Sequence, residues 1–354
     1  MIGIREFAHH LGLSIGTVSR ALNDRPDVNP LTRLRVREAA ANLGYSPNQS
    51  GRSLRRGRTD VVGMLIPSSS DNTLINTVFL DVLEGLKRRL GEHSLDLAIF
   101  LESERDDRVG ALRRLTERGL ADALIIADTQ SIDPRVEYLA KLGKPFVTFG
   151  RTRAPARHAW VDPDFEAAVE GAVSHLFALG HRRIGLALPD LSTYYLDLIE
   201  RGYWRAMRAH GLAVEPQWRL RRAAGEQGGL EAAEALLAAD PKPTAVLVAD
   251  SMQAVALYRR LGEVGLRPGQ DISVLGLLPE ARARYLIPRL TTYQTNWTDI
   301  GCRLAEAVVV EIASAAANRE DNGLTSKRPH ARAQYKMPVE FSPGESVHRV
   351  HTAG

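Results

Sequence analysis

From residue 59 onward the chain repeats one pattern, a short run that is apolar at nearly every position followed by a longer stretch with helical spacing. The runs are Val61 to Ile66, Leu95 to Phe100, Ala123 to Ile126, Phe146 to Phe149, Ile184 to Leu188, Ala245 to Val248 and Ile272 to Leu275. A strand apolar throughout cannot belong to a sheet with one wet face and needs cover on both sides. Intervening amphipathic helices supply that cover, which predicts an α/β architecture of doubly wound parallel sheets. Seven such strands, with a break near residues 150–160, predict two similar lobes.

Ligands of open α/β sheets bind beyond the carboxyl ends of the strands, so two facing lobes make a cleft lined by strand ends from both. By that position the candidate effector contacts are Ser68, Ser69, Asp128, Arg151, Asp190, Tyr194, Tyr195, Arg201, Asp250 and Thr295. For each alone, capping, lobe contact or a solvated charge is at least as good a reading. No glycine-rich dinucleotide fingerprint follows a strand and no phosphate-loop lysine motif occurs, so no cofactor is expected. The histidines lack metal-ligand spacing, and His181 reads as a turn residue.

The first 58 residues are different in kind. They carry ten arginines against four acids, a charge of +6 in a chain of net +4, which leaves −2 for the remainder. A polyanion contact, if present, belongs here. Ile4, Phe7, Ala8 and Leu11 form one apolar stripe on a first helix that Gly12 ends. Ser14 is placed to cap a second helix, in which Val18, Ala21 and Leu22 face inward and Asn23 closes the end. Ile15, Gly16, Thr17, Ser19 and Arg20 then point outward, where they can reach base edges or phosphates. Asn29 and Pro30 start a third helix with Leu34, Val36, Ala39, Ala40 and Leu43 as its inner face, stopped by Gly44. This is a three-helix helix-turn-helix head. The polar, basic stretch from Gln49 to Arg58 is too short to be a stable helix alone in water, and segments of this kind order on binding.

Other classes are weighed against this one. Gly12-Leu13-Ser14-Ile15-Gly16 matches the serine nucleophile elbow letter for letter, but an elbow needs a strand before the serine, and here a helix precedes it. No basic stretch followed by an apolar run marks a secretory leader, and no run of about 18 apolar residues occurs. The single cysteine, Cys302, excludes an internal disulfide. A cytoplasmic location without membrane contact is expected. A sugar-transport protein would need the core alone, and an enzyme would need convergent acid, base and nucleophile residues; neither accounts for the basic head.

The residues Ile4-Arg5-Glu6-Phe7-Ala8, Leu11-Gly12-Leu13-Ser14, Thr17 to Asn23, Leu43 to Asn48 and Arg52-Ser53-Leu54 resemble, in order and spacing, the head and hinge of the lactose-repressor and galactose-repressor (LacI/GalR) family. The resemblance continues through Trp160-Val161-Asp162, Leu179 to Ile184, Pro243 to Val246, Asp271 to Gly276 and Pro288 to Thr292. It implies a dimeric, non-enzymatic transcription regulator, a repressor of carbohydrate genes on a double-stranded, pseudopalindromic DNA operator, with a small-molecule effector in a periplasmic-binding-protein-like core. It implies that Ile15, Gly16 and Arg20 face bases while Ser14, Thr17, Ser19 and Asn23 hold phosphates, which set register without reading sequence. It adds a hinge helix with Asn48, Ser50 and Gly51 on the DNA and Leu54 as a wedge in the minor groove. Gly51 stands where the family usually has alanine, so this hinge is expected to be looser.

The resemblance fails at the effector anchors. Leu277, Leu278 and Pro279 stand where the family commonly has an aspartate, Ile199 where it has an arginine, Ala224 where it has an aromatic, and Ala249-Asp250 where it has an asparagine–aspartate pair. Specificity therefore cannot be copied. The expected domains are a head at 1–46, a hinge helix at 47–58, a core at 59–340 and a frayed tail at 341–354. The first lobe is expected over 59–157 and 291–318 and the second over 158–288 and 322–340, with crossovers near 157–161 and 288–295. Met337 to Phe341 is expected as one last strand, and no leucine heptads that would join dimers into tetramers are present.

Overall fold

The structure, a computed structural model, describes residues 3–22, 24–45, 58–67, 77–102, 107–154, 157–278, 281–320 and 332–350. The chain forms two compact units, Met1–Thr59 and Asp60–Gly354.

In the first unit α1 (Ile4–His10), α2 (Ile15–Leu22) and α3 (Pro30–Asn42) enclose a small core. Gly12 takes φ +63° between α1 and α2, a left-handed turn that disfavours a side chain. Phe7, Ala8, Leu11, Val18, Ala21 and Val36 are buried, joined by Val28 and Tyr45. Tyr45 stacks on Phe7 with ring centroids 4.2 Å apart. The Asn29 side chain accepts the Leu31 N–H and so starts α3. Leu34, expected on the inner face of α3, is 55% exposed. It lies about 200° around the helix from Val36, so the two cannot share a face.

The second unit contains two six-stranded sheets. The first lobe has the order β2-β1-β3-β4-β5-β11, with β1 (Val61–Pro67), β2 (Asp96–Glu102), β3 (Ala123–Ile126), β4 (Phe146–Phe149), β5 (Ala159–Pro163) and β11 (Gln334–Met337). The second has the order β7-β6-β8-β9-β10-β12, with β6 (Ile184–Pro189), β7 (Arg219–Arg222), β8 (Ala245–Val248), β9 (Ser273–Leu277), β10 (Thr291–Gln294) and β12 (Glu340–Ser342). Among the described residues every strand pairing is parallel except β10 with β12. Helices α4 (Thr77–Glu92), α5 (Gly110–Glu117), α6 (Pro134–Leu142) and α11 (Trp297–Glu320) belong to the first lobe; α7 (Phe165–Ala178), α8 (Tyr194–Ala209), α9 (Glu226–Ala238) and α10 (Ser251–Glu263) belong to the second. Helices α4 and α11 cross at glycines: a Cβ on Gly85 would sit 2.0 Å from the Thr298 carbonyl oxygen, and one on Gly301 2.1 Å from that of Val82. Among the described residues no helix is long and apolar enough to cross a membrane.

The expected lobe limits are corrected at each crossover. Strand β5, expected in the second lobe, belongs to the first sheet, and β10, expected in the first lobe, belongs to the second sheet. The chain changes lobe after each of these strands, at 163–165 and 294–297, because a strand must finish pairing before the backbone can leave the sheet. The stretch expected as one strand from Met337 to Phe341 is two, in different sheets. Pro338 lies between them and has no N–H to offer a ladder, so the third crossover falls at 337–340.

The tail is not frayed through residue 350. The Ser346 hydroxyl, fully buried, accepts the Thr291 N–H at 2.8 Å and donates to the Val274 carbonyl at 2.6 Å. His348 follows, with its Nδ1 and its backbone N–H each 3.0 Å from Ser273 Oγ. His181 is fully buried against it, with Nδ1 2.8 Å from Thr244 Oγ1 and Nε2 3.0 Å from both Ser273 Oγ and the His348 carbonyl. The tail is polar because the groups it meets, at the amino ends of the strands, are polar.

Burial pushes His181 down to about 4, with the charges of His348, His175 and Arg182 acting in the same direction. An unfolded chain takes this proton near pH 6.5, so between pH 6.5 and 4 the unfolded state binds more protons and stability falls with falling pH. The lost increment is about 3 kcal/mol. In urea unfolding, the stability gap between the wild-type chain and His181→Asn should therefore shrink by about that amount from pH 7 to pH 4. A gap constant with pH would show that His181 does not carry the effect.

Candidate nucleic-acid interface and effector cleft

Helix α2 is fixed at its start by Ser14, whose Oγ accepts the Thr17 N–H at 3.1 Å and lies 2.8 Å from Thr17 Oγ1. Val18 and Ala21 anchor its inner side. The opposite side carries Ile15, 41% exposed, with Gly16 and Arg20 exposed and Thr17 and Ser19 half-buried. The expected outward set is thus brought to one surface. Arg20 Nε is 3.8 Å from Asp27, with both side chains more than half exposed, an arrangement that holds a guanidinium weakly. The three arginines of α3 are engaged internally: Arg33 and Arg37 pair with Asp24, and Arg35 donates to the Leu11 carbonyl at 3.1 Å. The sequence charge therefore overstates the cation available on this unit. Asn23, Asn48, Ser50, Gly51 and Leu54 lie outside the described residues.

In the second unit the strand order reverses beside β1 and β3 in one sheet and beside β6 and β8 in the other, the places where open α/β sheets form ligand crevices. Asp128 follows β3, Asp190 follows β6 and Asp250 follows β8. The lobes meet here, with the Tyr194 N–H of the second donating to the Thr129 carbonyl of the first at 2.8 Å. Tyr195 stacks on Phe165 at 5.2 Å. Burial raises the pKa of its hydroxyl, and the negative charges of Asp128 in the first lobe and Asp250 in the second raise it further.

The other candidates have different partners. Arg151 is spent on Asp162 and Glu166, both at 2.7 Å. Thr295 donates to the Pro338 carbonyl at 2.8 Å and ties the second crossover to the third. Arg201, exposed, donates to the buried Tyr194 hydroxyl at 2.9 Å. Asp190 is exposed, and Asp250 also caps α10 by accepting the Gln253 N–H at 2.8 Å. Leu277, the last residue of β9, and Leu278 after it are buried and give this end of the sheet an apolar floor. Ser68 and Ser69 lie outside the described residues. Among the described residues no three His, Cys, Asp or Glu side chains converge as a metal site would require.

Sequence reasoning missed the group that shapes the Asp128 loop. Arg135 is fully buried and binds Asp133 through Nε at 3.0 Å and Nη2 at 2.8 Å, Glu102 at 2.8 Å, and the carbonyls of Ala127 and Asp128 at 3.0 and 2.9 Å. It clamps a backbone in which Asp128 takes φ +53°. Burial raises Asp128, opposed by Arg108 and Arg135. Burial alone would also raise Asp133, but the guanidinium and the N–H groups of Gln130 and Arg135 hold it below its ordinary value. The sequence Asp133-Pro134-Arg135 reads only as a helix start, and nothing in it announces Glu102 across the sheet.

Replacing Arg135 would leave two carboxylates buried without their cation, a change that typically costs about 3–5 kcal/mol. Arg135→Met should lower the unfolding free energy of the core by about that amount in urea titrations. A loss under about 1 kcal/mol, the range of exposed ion pairs, would contradict the clamp.

Comparison with known proteins agrees with both units. Residues 3–48 match the model of bacterial regulatory proteins of the lacI family, and residues 173–347 match a periplasmic binding protein-like domain. The HTH-type transcriptional regulator AglR of Rhizobium meliloti is 32% identical over 315 residues, 87% of each chain. The lac repressor dimer bound to operator and the anti-inducer ONPF has a TM-score of 0.84 at 22% identity, over 98% of this chain and 99% of that one. A complex of the transcriptional regulator CelR with cellobiose has a TM-score of 0.70 at 23% identity, over 98% of this chain and all of the other. With a helix-turn-helix head, a two-lobed core and identity of this extent, the chain belongs to the LacI family of bacterial transcriptional regulators.

Proposed function

We propose that this regulator is a cytoplasmic repressor that binds a pseudopalindromic operator as a homodimer and is controlled by a carbohydrate, without catalytic activity of its own. The observation that carries the reading is α2, capped at Ser14 and presenting Ile15, Gly16 and Arg20 away from the head core. In this reading α2 lies in the major groove. Arg20 pairs with a guanine, Ile15 and Gly16 meet a thymine methyl or sense groove shape, and Ser14, Thr17, Ser19 and Asn23 hold phosphates. The head spans 1–46 and a hinge spans 47–58, where Asn48, Ser50 and Gly51 contact the duplex and Leu54 wedges a central step.

The dimer is supported by the edge of the first sheet. Strand β2 ends that sheet and leaves Ile99 and Leu101 each 48% exposed, and Leu80 of α4 is 58% exposed. An apolar edge of this kind needs a partner, and a twofold pairing of two copies closes it. For the effector, the cleft offers Asp128 and Asp250 as acceptors for hydroxyl donors and the Tyr195–Phe165 pair as an aromatic wall, the chemistry a sugar ring requires. Cellobiose bound to CelR, a neighbour in fold, supports a carbohydrate in the same class of cleft.

Selection of bound sequences from a random duplex pool, repeated with a panel of neutral sugars and sugar phosphates, should return a palindromic site and identify the sugar that changes its affinity. Arg20→Ala should weaken binding to the selected site by about 1–3 kcal/mol per half-site and bulk DNA much less. Equal losses on both DNAs would remove Arg20 from base reading.

A further inference from the structure

The three crossovers between the lobes are backbone tethers, and a cluster of charges is built across the first and third of them. Arg151 stands at the end of β4 in the first lobe and Asp162 at the end of β5 in the same lobe. Their bond, Nε to Oδ2 at 2.7 Å, together with the Trp160 ring 5.6 Å from the guanidinium carbon, fixes Arg151 to the first lobe. Its Nη2 then reaches over the crossover to Glu166, in the first turn of α7 in the second lobe, also at 2.7 Å. Lys336 of β11 approaches the same Glu166 at 3.6 Å and Asp164, the cap of α7, at 3.4 Å. Glu166 thus faces two cations from the opposite lobe while its side chain is only 21% exposed. Burial opposes its ionisation, yet Arg151 and Lys336 hold it below its ordinary value.

The cluster is connected to the cleft. The Arg151 carbonyl accepts the Thr129 hydroxyl at 2.9 Å, and the Thr129 carbonyl accepts the Tyr194 N–H from the second lobe at 2.8 Å. Thr129 is the neighbour of Asp128. Whatever displaces the Asp128 loop on closing over a ligand moves the same residue that carries Arg151.

We propose that Glu166, gripped by Arg151 and Lys336 across the crossovers, is a positioning residue that sets the angle between the lobes and through it the response of the core to effector. The link to effector rests on the reading of the cleft given above; the setting of the angle does not. An ion pair shared between two rigid bodies favours the angle at which both distances are short, and its removal flattens that minimum. Of the strand-end candidates Glu166 bonds Arg151, whose guanidinium is already shared with Asp162, so its effect appears as a change in coupling between sites.

The test requires no effector. In a Cys302→Ser full-length chain, Lys141→Cys on α6 and Ala209→Cys on α8, both exposed positions, carry paired spin labels, diluted with unlabelled chain to suppress distances between subunits. The parent should give one narrow distribution of distances between the lobes. Glu166→Gln should broaden and shift it, and Lys336→Gln, a milder change at a more exposed side chain, should broaden it in the same direction to a smaller extent. If Glu166→Gln fails to fold, Lys336→Gln decides the outcome. Distributions for the folded variants that superimpose on the parent would overturn the proposal, even if pool selection had already established the operator and sugar. Conversely, a broadened distribution with no sugar response would leave the lobe-setting role intact and discard the carbohydrate.

Discussion

A strand buried on both faces carries a functional side chain most readily where it stops, since a polar group along its length has to leave water and be given a buried partner. Strands β3, β6, β8 and β9 are buried at every residue. Polar chemistry is therefore displaced to the loops that follow them, and the strand order decides which loops face one another. Asp128, Asp190 and Asp250 all stand at such ends. The three crossovers then bring the two sets of loops together, which makes the cleft a property of topology before any side chain is chosen.

Once polar groups are confined to strand ends, their partners determine their charge. Asp133 and Asp162 are both buried carboxylates bonded to arginine, yet they shift in opposite directions. Asp133 receives two guanidinium N–H groups and two backbone N–H groups. Asp162 shares its arginine with Glu166, and burial pushes it up to about 6. An ion fully satisfied by one partner stiffens a loop; an ion divided between two carboxylates on different lobes is poised between them. The first arrangement suits the floor of a binding site and the second suits a hinge.

Fold class was legible because continuous apolar runs have few physical explanations. The seven strands expected from apolar runs are present, the one expected at Met337 to Phe341 is two, and β5, β7 and β10 lacked that signal. Strand β7 reads Arg-Leu-Arg-Arg and β5 carries Trp160 and Asp162, so edge position and ion pairing conceal them from a hydropathy pattern. The tail was misread because Gly, Pro and charge usually accompany disorder, whereas here polar side chains satisfy the polar base of a lobe. In the head, spacing sufficed to orient α2, since a single turn of helix fixes which residues are inside. At the strand ends, sequence position says nothing of the partners that hold Arg151 and Thr295, which are Asp162, Glu166 and the Pro338 carbonyl, because those neighbours are distant in sequence.

The composition of α2 constrains how selectivity must be divided on the proposed reading. A bidentate arginine–guanine pair discriminates by about 1–3 kcal/mol, and Arg20 is the one side chain of α2 able to form it. Neither Ile15 nor Gly16 has a side-chain donor. Two copies of the head would then supply about 2–6 kcal/mol from this contact, while specific sites are typically favoured over bulk DNA by about 4–10 kcal/mol. A monomer would fall short. The remainder has to come from the bend and groove shape selected at the centre of the site, where no base need be touched and the cost depends on how easily the sequence deforms. On the proposed reading that term would depend on the separation and tilt of the two hinges. The same division that leaves α2 sparse in donors would thus give a small change in lobe angle leverage over operator affinity.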